Sequence, residues 1–361
     1  MAGQVFLAGL AADPALRRAL LGDQAAEPAR MAGLALVAAA SGPWPVAVRR
    51  AGSEVAGVFL QLSHAQHGRL DFALRALALV PDDLPDGHGT TYLGHGAGAI
   101  SGTDACVMAV VLAYLEDVLP LQGAHEAGDL ARRLGPALVR AASRIRAGAS
   151  APAAVRRATA AGDIRQHARR LPYAQFFAVE EYDLSWRRFD GTFSEIATRA
   201  AFLSGDAVTV LPYDPARDLV LVVEQFRAGP LARGDGQCWQ IEAIAGRVDP
   251  FETPQDAARR EAIEEAGLTL TDLLPVAQYY PSPGAKTEFL YSYVALTDLP
   301  DGCAGIFGVA DEVEDIRGHL ISFDRLMDLV TSAEVANAPL ILTALWLQRE
   351  RPRLRAATKP S

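Results

Sequence analysis

The sequence is poor in cysteine and in long apolar runs. Its three cysteines, Cys106, Cys238 and Cys303, are too far apart for a CxxC pair or a disulfide framework, which indicates a reducing compartment. The longest uninterrupted apolar run, residues 105–115, is shorter than the roughly 20 residues that span a bilayer. The N-terminus lacks the basic region that opens a signal peptide. These absences predict a soluble, cytoplasmic protein with no membrane partner.

The length, composition and charge of the chain are those of a globular protein. Its 361 residues are enough for two ordinary domains. Apolar residues make up 50% of the chain and charged residues 21%, which excludes wholesale disorder. The formal net charge of −9 disfavours nucleic acid as a partner, because non-specific nucleic-acid binding requires a basic surface.

Residues 1–118 alternate short apolar stretches with glycine and proline. This pattern predicts a small mixed β domain with helices over residues 13–21 and 64–78 and a loop over residues 81–89. The strands of this domain are predicted at residues 5–10, 34–40, 46–48, 55–62 and 77–80.

Residues 119–171 are predicted to form a basic helical linker. Residues 125–170 contain ten arginines against three acidic residues, and helix-like stretches cover 126–148 and 152–170. Such a run can form an anion-binding surface, although it is more often a solvated face that packs on an acidic neighbour.

A further domain is predicted over residues 172–352, followed by a tail over residues 353–361. Strands interspersed with helices, without strict βαβ alternation, indicate an α/β or α+β fold, such as an α/β/α sandwich with a mixed sheet. The strands are predicted at residues 176–182, 184–189, 195–202, 207–213, 219–226, 276–296 and 316–321. The helices are predicted at residues 254–266, 323–332 and 338–350.

The helix predicted at residues 254–266 has clear boundaries and an acidic face. Thr253 is suited to its N-cap and Gly267 to its C-terminal stop, while alanines and Ile263 offer a packing surface. Glu261, Glu264 and Glu265 crowd one face, where like charges cost a helix roughly 0.2–0.5 kcal/mol per pair. A solvated acidic face is one interpretation. The other is a site for Mg²⁺ or Mn²⁺, which prefer carboxylate oxygens.

Residues 246–268 are similar to the Nudix box, GX₅EX₇REUXEEXGU, in which U is a bulky aliphatic residue. Leu268 matches the last aliphatic position, whereas Ala262 stands where a larger side chain is usual. The seven fixed positions are matched by Gly246, Glu252, Arg260, Glu261, Glu264, Glu265 and Gly267.

This resemblance implies a Nudix α/β/α sandwich that hydrolyses a nucleoside diphosphate linked to another moiety. Mg²⁺ or Mn²⁺ would be held by Glu261, Glu264 and Glu265. Glu252 and Arg260 would support the loop and orient the glutamates. Arg260 and Glu264 are also candidate catalytic residues.

Residues 173–348 resemble the ADP-ribose pyrophosphatases in particular. The resemblance is carried by segments such as Phe189-Asp-Gly191, Val223-Glu-Gln-Phe-Arg227 and Ile241-Glu-Ala-Ile-Ala-Gly246. It implies that the carbonyl of Ala245 also coordinates metal. It further implies that a loop glutamate acts as base on water, for which Glu312 is the first candidate and Glu314 the second, with a charged loop rim as the alternative.

The same resemblance implies which residues contact the substrate. Arg199 and Arg227 match substrate-binding arginines, and Arg199 lies on strands that in the family cross to a partner subunit and form a swapped homodimer. Ala200 replaces a glutamate that is usual there, which removes one possible contact. The family loop that closes on the substrate is matched by Ser282, Gly284 and Glu288.

Residues 5–14 are similar to the opening of γ-glutamylcyclotransferase-like domains. Ala8 and Leu10 replace polar residues of the substrate-binding turn, and Leu74 stands where the catalytic glutamate is expected. The resemblance implies a degenerate, non-catalytic domain with a scaffolding or regulatory role. The combination of such a domain with a Nudix domain resembles the tellurite-resistance-associated bacterial Nudix proteins.

The leading functional hypothesis is a Mg²⁺-dependent ADP-ribose diphosphatase that yields AMP and ribose 5-phosphate. One alternative is a Nudix hydrolase of another nucleoside diphosphate derivative, such as NADH or a nucleotide-sugar. Another is a non-catalytic ADP-ribose sensor, against which the intact set of glutamates argues, because sensors usually lose these carboxylates.

Overall fold

The computed structural model describes residues 3–84, 89–99, 104–148, 152–309 and 313–357. The chain divides into two compact units, one made of Met1–Thr159 with Gln175–Phe177 and the other of Ala160–Ala174 with Ala178–Ser361. Within the described ranges, no helix is long and apolar enough to cross a membrane.

The first unit is built on a five-stranded mixed sheet. Its strands are β1 (Gly3–Ala8), β2 (Glu27–Ala38), β3 (Pro45–Leu62), β4 (Val80–Asp83) and β5 (Thr90–Leu93). Their order is β2-β3-β1-β5-β4, with β1 antiparallel to β3 and parallel to β5. The helices of this unit are α1 (Pro14–Leu21), α2 (His64–Ala76), α3 (Ala105–Val118), α4 (Ala127–Ala131) and α5 (Leu134–Ala147).

Two features of the first unit follow from backbone geometry. Gly9 ends β1 with a positive φ of 59°, and a Cβ there would overlap the carbonyl oxygen of Pro45, so only glycine fits. The strand predicted at 77–80 is wrong, because the N–H of Leu77 still donates to Ala73 of α2 and Ala78 takes a φ of 61°. The strand therefore begins only at Val80.

The second unit contains two sheets and four described helices. A three-stranded antiparallel sheet consists of β6 (Ile164–Ala174), β7 (Ala178–Trp186) and β8 (Ala197–Leu203). The eight-stranded sheet consists of β9 (Ala207–Asp214), β10 (Leu219–Phe226), β11 (Trp239–Glu242), β12 (Ile244–Arg247), β13 (Asp272–Tyr279), β14 (Leu290–Leu296), β15 (Ile306–Phe307) and β16 (Ile316–Ser322). The helices are α6 (Ala228–Arg233), α7 (Pro254–Ala266), α8 (Phe323–Thr331) and α9 (Ala338–Ala357).

The large sheet is mixed and is covered by helices on both faces. Strand β14 is parallel to β9, whereas the other pairings of this sheet are antiparallel. Alternate residues of β10 serve the two faces: Val223 packs with the alanines of α7, and Val222 packs with α8 and α9. The predicted α/β/α sandwich with a mixed sheet is thereby confirmed.

The helix predicted over residues 152–170 is wrong, because β6 begins at Ile164. Across the strand pair, Arg170 meets Asp183 of β7 at 2.7 Å and Arg169 pairs with the buried Glu180. These cross-strand ion pairs favour the extended conformation, which residue composition alone does not reveal. The two strands predicted at 176–182 and 184–189 are the single strand β7.

Arginines of the basic run face acidic neighbours within their own units. Arg144 of α5 lies 2.6 Å from Asp117 of α3, and Arg140 approaches the same carboxylate at 3.7 Å. Together with the Arg170–Asp183 pair, these contacts favour the interpretation of a face that packs on acidic neighbours over an anion-binding surface.

Asp218 ties the turn between β9 and β10 to the last helix. Its carboxylate accepts hydrogen bonds from the Tyr213 hydroxyl at 2.8 Å and from Nε of Arg351 at 2.9 Å, and it also pairs with Arg355. Burial opposes ionisation of this carboxyl, but the bonds from Arg351 and Tyr213 outweigh it and hold the pKa of Asp218 below its ordinary value.

We expect Asp218→Asn to destabilise the protein by about 1–3 kcal/mol at neutral pH, because two arginines lose a largely buried counterion. Asparagine still tolerates the φ of 61° at this position. Since the folded-state pKa is lowered, the difference from the wild type is present above about pH 4 and shrinks as the pH falls below it.

Urea denaturation at several pH values measures this difference. The matched control is Asp324→Asn, which removes the 78% exposed partner of Arg351 and should change the unfolding free energy by less than about 0.5 kcal/mol. Equal effects of the two variants would contradict the role assigned to Asp218.

Candidate active site

Helix α7 lies flat on the large sheet through a row of alanines. The Oγ of Thr253 accepts a hydrogen bond from the N–H of Asp256 at 3.2 Å, and Gly267 ends the helix in the left-handed conformation, so the predicted caps are confirmed. Ala257, Ala258 and Ala262 are completely buried. Ile263, which the sequence predicts on the packing face, is instead 55% exposed.

The three glutamates of α7 differ in burial. Glu265 is 2% exposed, whereas the side chains of Glu261 and Glu264 are 12% and 34% exposed. The exposure of the acidic side chains therefore increases from Glu265 to Glu264. A face that is merely solvated would not need a buried glutamate.

Arg260 joins the preceding loop to this acidic face. Its Nη1 lies 2.8 Å from Glu261 and 2.9 Å from Glu264, while its Nη2 lies 2.8 Å from Glu252 and donates to the carbonyl of Arg247 at 3.0 Å. One guanidinium thus fixes three carboxylates and the loop backbone, because its donors fan out in a plane.

Strand β12 approaches the acidic face closely enough to exclude side chains. A Cβ on Gly246 would overlap the carboxylate of Glu261, so only glycine fits here. The N–H of the neighbouring Ala245 donates to Oε2 of Glu265 at 3.1 Å. Two carboxylates and the backbone of β12 therefore meet at one point.

Burial makes the two inner carboxylates hard to ionise. It raises the pKa of Glu261 to about 7, although Arg260 lowers it, and raises the pKa of Glu265 to about 8 despite the bond from Ala245. Among the described residues, no three histidine, cysteine or acidic side chains converge as a ready-made cation cage. The oxygen donors of Glu261 and Glu265 nevertheless fit a hard divalent cation, whose charge would relieve their burial.

Of the two predicted bases, Glu314 lies in the described part of the chain and Glu312 lies outside it. The carboxylate of Glu314 accepts a hydrogen bond from the N–H of Val309 at 3.1 Å. Its charge raises the pKa values of both Glu261 and Glu265, so it lies within electrostatic range of these two carboxylates.

Glu242 is a buried carboxylate to which the sequence assigns no role. It is 6% exposed, and the guanidinium of Arg227 approaches it at 2.8 Å through Nη2 and at 3.2 Å through Nε. Its location within the apolar run from Ile241 to Ile244 is the sequence signal that could have revealed it, because an ionisable residue in a buried strand requires a partner.

The remaining predicted substrate contacts lie on two other segments. Arg199 of β8 donates to the carbonyl of Thr198 at 2.9 Å and stacks 5.3 Å from the Trp186 ring, so these contacts lie within the three-stranded sheet. The turn after β13 carries the three others. The carbonyl of Ser282 accepts from two backbone N–H groups, Gly284 lies in the turn, and Glu288 is 3.5 Å from Lys286.

Comparison with known proteins agrees with this architecture. Residues 203–342 match the NUDIX domain family. The chain is 36% identical over 193 residues to the ADP-ribose pyrophosphatase of Escherichia coli (strain K12), covering 54% of this chain and 91% of that protein. The ADP-ribose pyrophosphatase of Haemophilus influenzae is 31% identical, with coverages of 52% and 88%. The GDP-mannose pyrophosphatase of Salmonella paratyphi B is 31% identical, with coverages of 42% and 77%.

The chain therefore belongs to the Nudix hydrolases. It is an enzyme of nucleoside diphosphate hydrolysis, as the Nudix box in α7 and its flanking loops predict. The match begins at the end of β8 and takes in β9, β10, the box and α8.

We expect Gly246→Ala to lower the hydrolysis rate by about 100-fold, because the added methyl group displaces Glu261 by roughly 1 Å or more. The melting temperature should change little, since Glu261 can move toward solvent. The control is Gly229→Ala in α6, where a Cβ meets nothing within 4 Å. Steady-state kinetics of the two variants test this, and a wild-type rate for Gly246→Ala would show that the position of Glu261 does not matter.

Proposed function

We propose that the protein hydrolyses the diphosphate bond of ADP-ribose to AMP and ribose 5-phosphate in a reaction that requires Mg²⁺ or Mn²⁺. The observation that carries the proposal is the meeting of the buried Glu265 and the largely buried Glu261 with the backbone of β12, at Ala245 and at Gly246 respectively. ADP-ribose is favoured because two of the relatives described above are ADP-ribose pyrophosphatases and cover half of this chain.

The cation would be held by Glu261, Glu264, Glu265 and the carbonyl of Ala245. When bound, it would neutralise diphosphate charge and lower the pKa of the attacking water. Arg260 contacts Glu261 and Glu264, so it would keep both side chains oriented to hold the cation.

A loop glutamate would remove the proton from water. Glu314 fits this role because it lies within electrostatic range of Glu261 and Glu265 and its carboxylate oxygen can accept a proton. Glu312 is the other candidate for the same role. The exposed edge of Arg227 would bind a phosphate oxygen, because guanidinium donors match phosphate geometry.

The remaining specificity would come from two loops and a second subunit. Ser282, Gly284 and Glu288 would close on the substrate from the turn after β13. Arg199 would reach the site of a partner subunit in a homodimer formed through the Nudix domain, since its own contacts lie within the three-stranded sheet.

The N-terminal domain would be non-catalytic. Leu74 is completely buried in α2, so the position that resembles a catalytic glutamate offers neither a carboxylate nor access to solvent. A scaffolding or regulatory role remains for this domain, and no release of 5-oxoproline from γ-glutamyl compounds is expected.

A nucleotide-sugar is the second candidate substrate, because a GDP-mannose pyrophosphatase is among the relatives. Turnover with Mg²⁺ on ADP-ribose, NADH, diadenosine polyphosphates and GDP-mannose, with phosphatase to release phosphate from the products, distinguishes the candidates. We expect kcat/KM to be highest for ADP-ribose. Preference for another compound would contradict the assignment of ADP-ribose as the substrate. Binding of ADP-ribose without turnover of any compound would indicate a sensor.

We expect Glu265→Gln to lower kcat by about 100-fold or more, because it removes a charge that the cation requires. Mg²⁺ should raise the melting temperature of the metal-free wild type but not of this variant. Glu334→Gln, at an exposed position, is the control and should behave like the wild type in both measurements. Normal turnover by Glu265→Gln would show that Glu265 is not part of the metal site.

A further inference from the structure

Arg227 forms an ion pair with the buried Glu242 and lies within electrostatic range of two carboxylates of the proposed site, Glu265 and Glu314. Its Nη2 and Nε edge faces Glu242 at 2.8 and 3.2 Å, and Glu242 is 6% exposed. Burial opposes the charge of Arg227, but its pKa is raised by Glu242 and, more weakly, by Glu265 and Glu314. The same guanidinium therefore interacts electrostatically with Glu242, Glu265 and Glu314.

The backbone fixes both partners of this pair. Glu242 stands opposite Val223 in the β10–β11 register, and the N–H of Arg227 donates to the carbonyl of Cys238 at 2.9 Å. Glu242 also precedes Ala245 by only three residues, so the short β11–β12 segment carries both the carboxylate that holds Arg227 and the backbone that meets Glu265.

Without Glu242, the guanidinium of Arg227 would be attracted to the other carboxylates that act on its charge, Glu265 and Glu314. Glu265 is almost fully buried and accepts a hydrogen bond from a neutral backbone N–H, so an arginine would stabilise it strongly. The same ion pair would occupy the oxygens that a cation requires. The arrangement of charges thus sets up a competition between Arg227 and a divalent cation for Glu265.

We propose that Glu242 is a positioning residue that holds Arg227 away from Glu265 and Glu314. By occupying the Nη2 and Nε edge, Glu242 leaves the α7 carboxylates to a divalent cation and the outer edge of Arg227 to an anionic substrate. This inference rests on the metal site of the proposed function.

Mn²⁺ binding to the metal-free, full-length protein tests this role without turnover, because free Mn²⁺ can be counted by electron paramagnetic resonance. Glu242→Gln keeps the size and one acceptor of the side chain but removes its charge. We expect it to weaken Mn²⁺ binding about tenfold. In the double variant Arg227→Gln/Glu242→Gln the competitor is absent, and the affinity should return to within about threefold of the wild type.

Two further variants serve as controls. Glu224→Gln alters a carboxylate of the neighbouring strand β10 that lies on the opposite face of the sheet from Glu242 and pairs with His319 at 2.9 Å, so Mn²⁺ binding should be unchanged. Glu242→Asp keeps the charge and should weaken binding less than Glu242→Gln. If Glu242→Gln does not fold, Glu242→Asp still allows a measurement. A wild-type Mn²⁺ affinity of Glu242→Asp, together with complete loss of Mn²⁺ binding in the double variant, would then contradict the proposal.

The possible outcomes distinguish this inference from the proposed function on which it rests. Unchanged Mn²⁺ affinity of folded Glu242→Gln, or equal weakening in the single and double variants, would overturn the positioning role while leaving the metal site intact. Absence of Mn²⁺ binding by the wild type would instead overturn the metal site of the proposed function, and the positioning role with it.

Discussion

The close approach of α7 to the large sheet is the constraint on which the site depends. Ala257, Ala258 and Ala262 are completely buried, and their small side chains let the helix backbone lie directly on the strands. Gly246 completes the approach from the sheet side, because no Cβ fits between β12 and Glu261. A larger residue at Ala262, where the Nudix box usually has one, would have to be accommodated by a different spacing. The alanine is therefore matched to the geometry of this particular helix–sheet contact.

The arginines of the site divide the carboxylates into two groups. Arg260 serves the open end of the acidic face, where it contacts Glu252, Glu261 and Glu264. Arg227 is bound to Glu242. Glu265 accepts a hydrogen bond from a backbone N–H, and burial raises its pKa to about 8. The most buried carboxylate of α7 is thus hydrogen-bonded by a neutral backbone donor, and such a carboxylate gains much from an incoming cation.

Local signals in the sequence were enough for α7 and for the sandwich around it. Thr253 and Gly267 act on their own helix ends, so their roles can be predicted from neighbouring residues alone. The sequence predictions are wrong where a residue that is distant in sequence determines the conformation or the exposure. Residues 164–174 are a strand because acidic residues of β7 face their arginines, and Ile263 is exposed because the alanines already fill the contact with the sheet. The apolar run around Glu242 indicates that this carboxylate needs a partner, but only the structure identifies that partner as Arg227, which follows β10.

The balance of charge explains why a cation would serve binding as well as chemistry. The carboxylates of Glu242, Glu252, Glu261, Glu264, Glu265 and Glu314 outnumber the guanidiniums of Arg227 and Arg260. A diphosphate diester brings two further negative charges, and unit charges about 4 Å apart interact by about 4 kcal/mol near a protein surface. Arg227 alone cannot offset that repulsion, because Glu242 already neutralises it. Where Glu261 and Glu265 are ionised, a cation bound by them would reduce the repulsion that an anionic substrate meets at α7. On this argument, the divalent cation of the proposed function would first reduce the electrostatic repulsion within the site and only then serve the hydrolytic step.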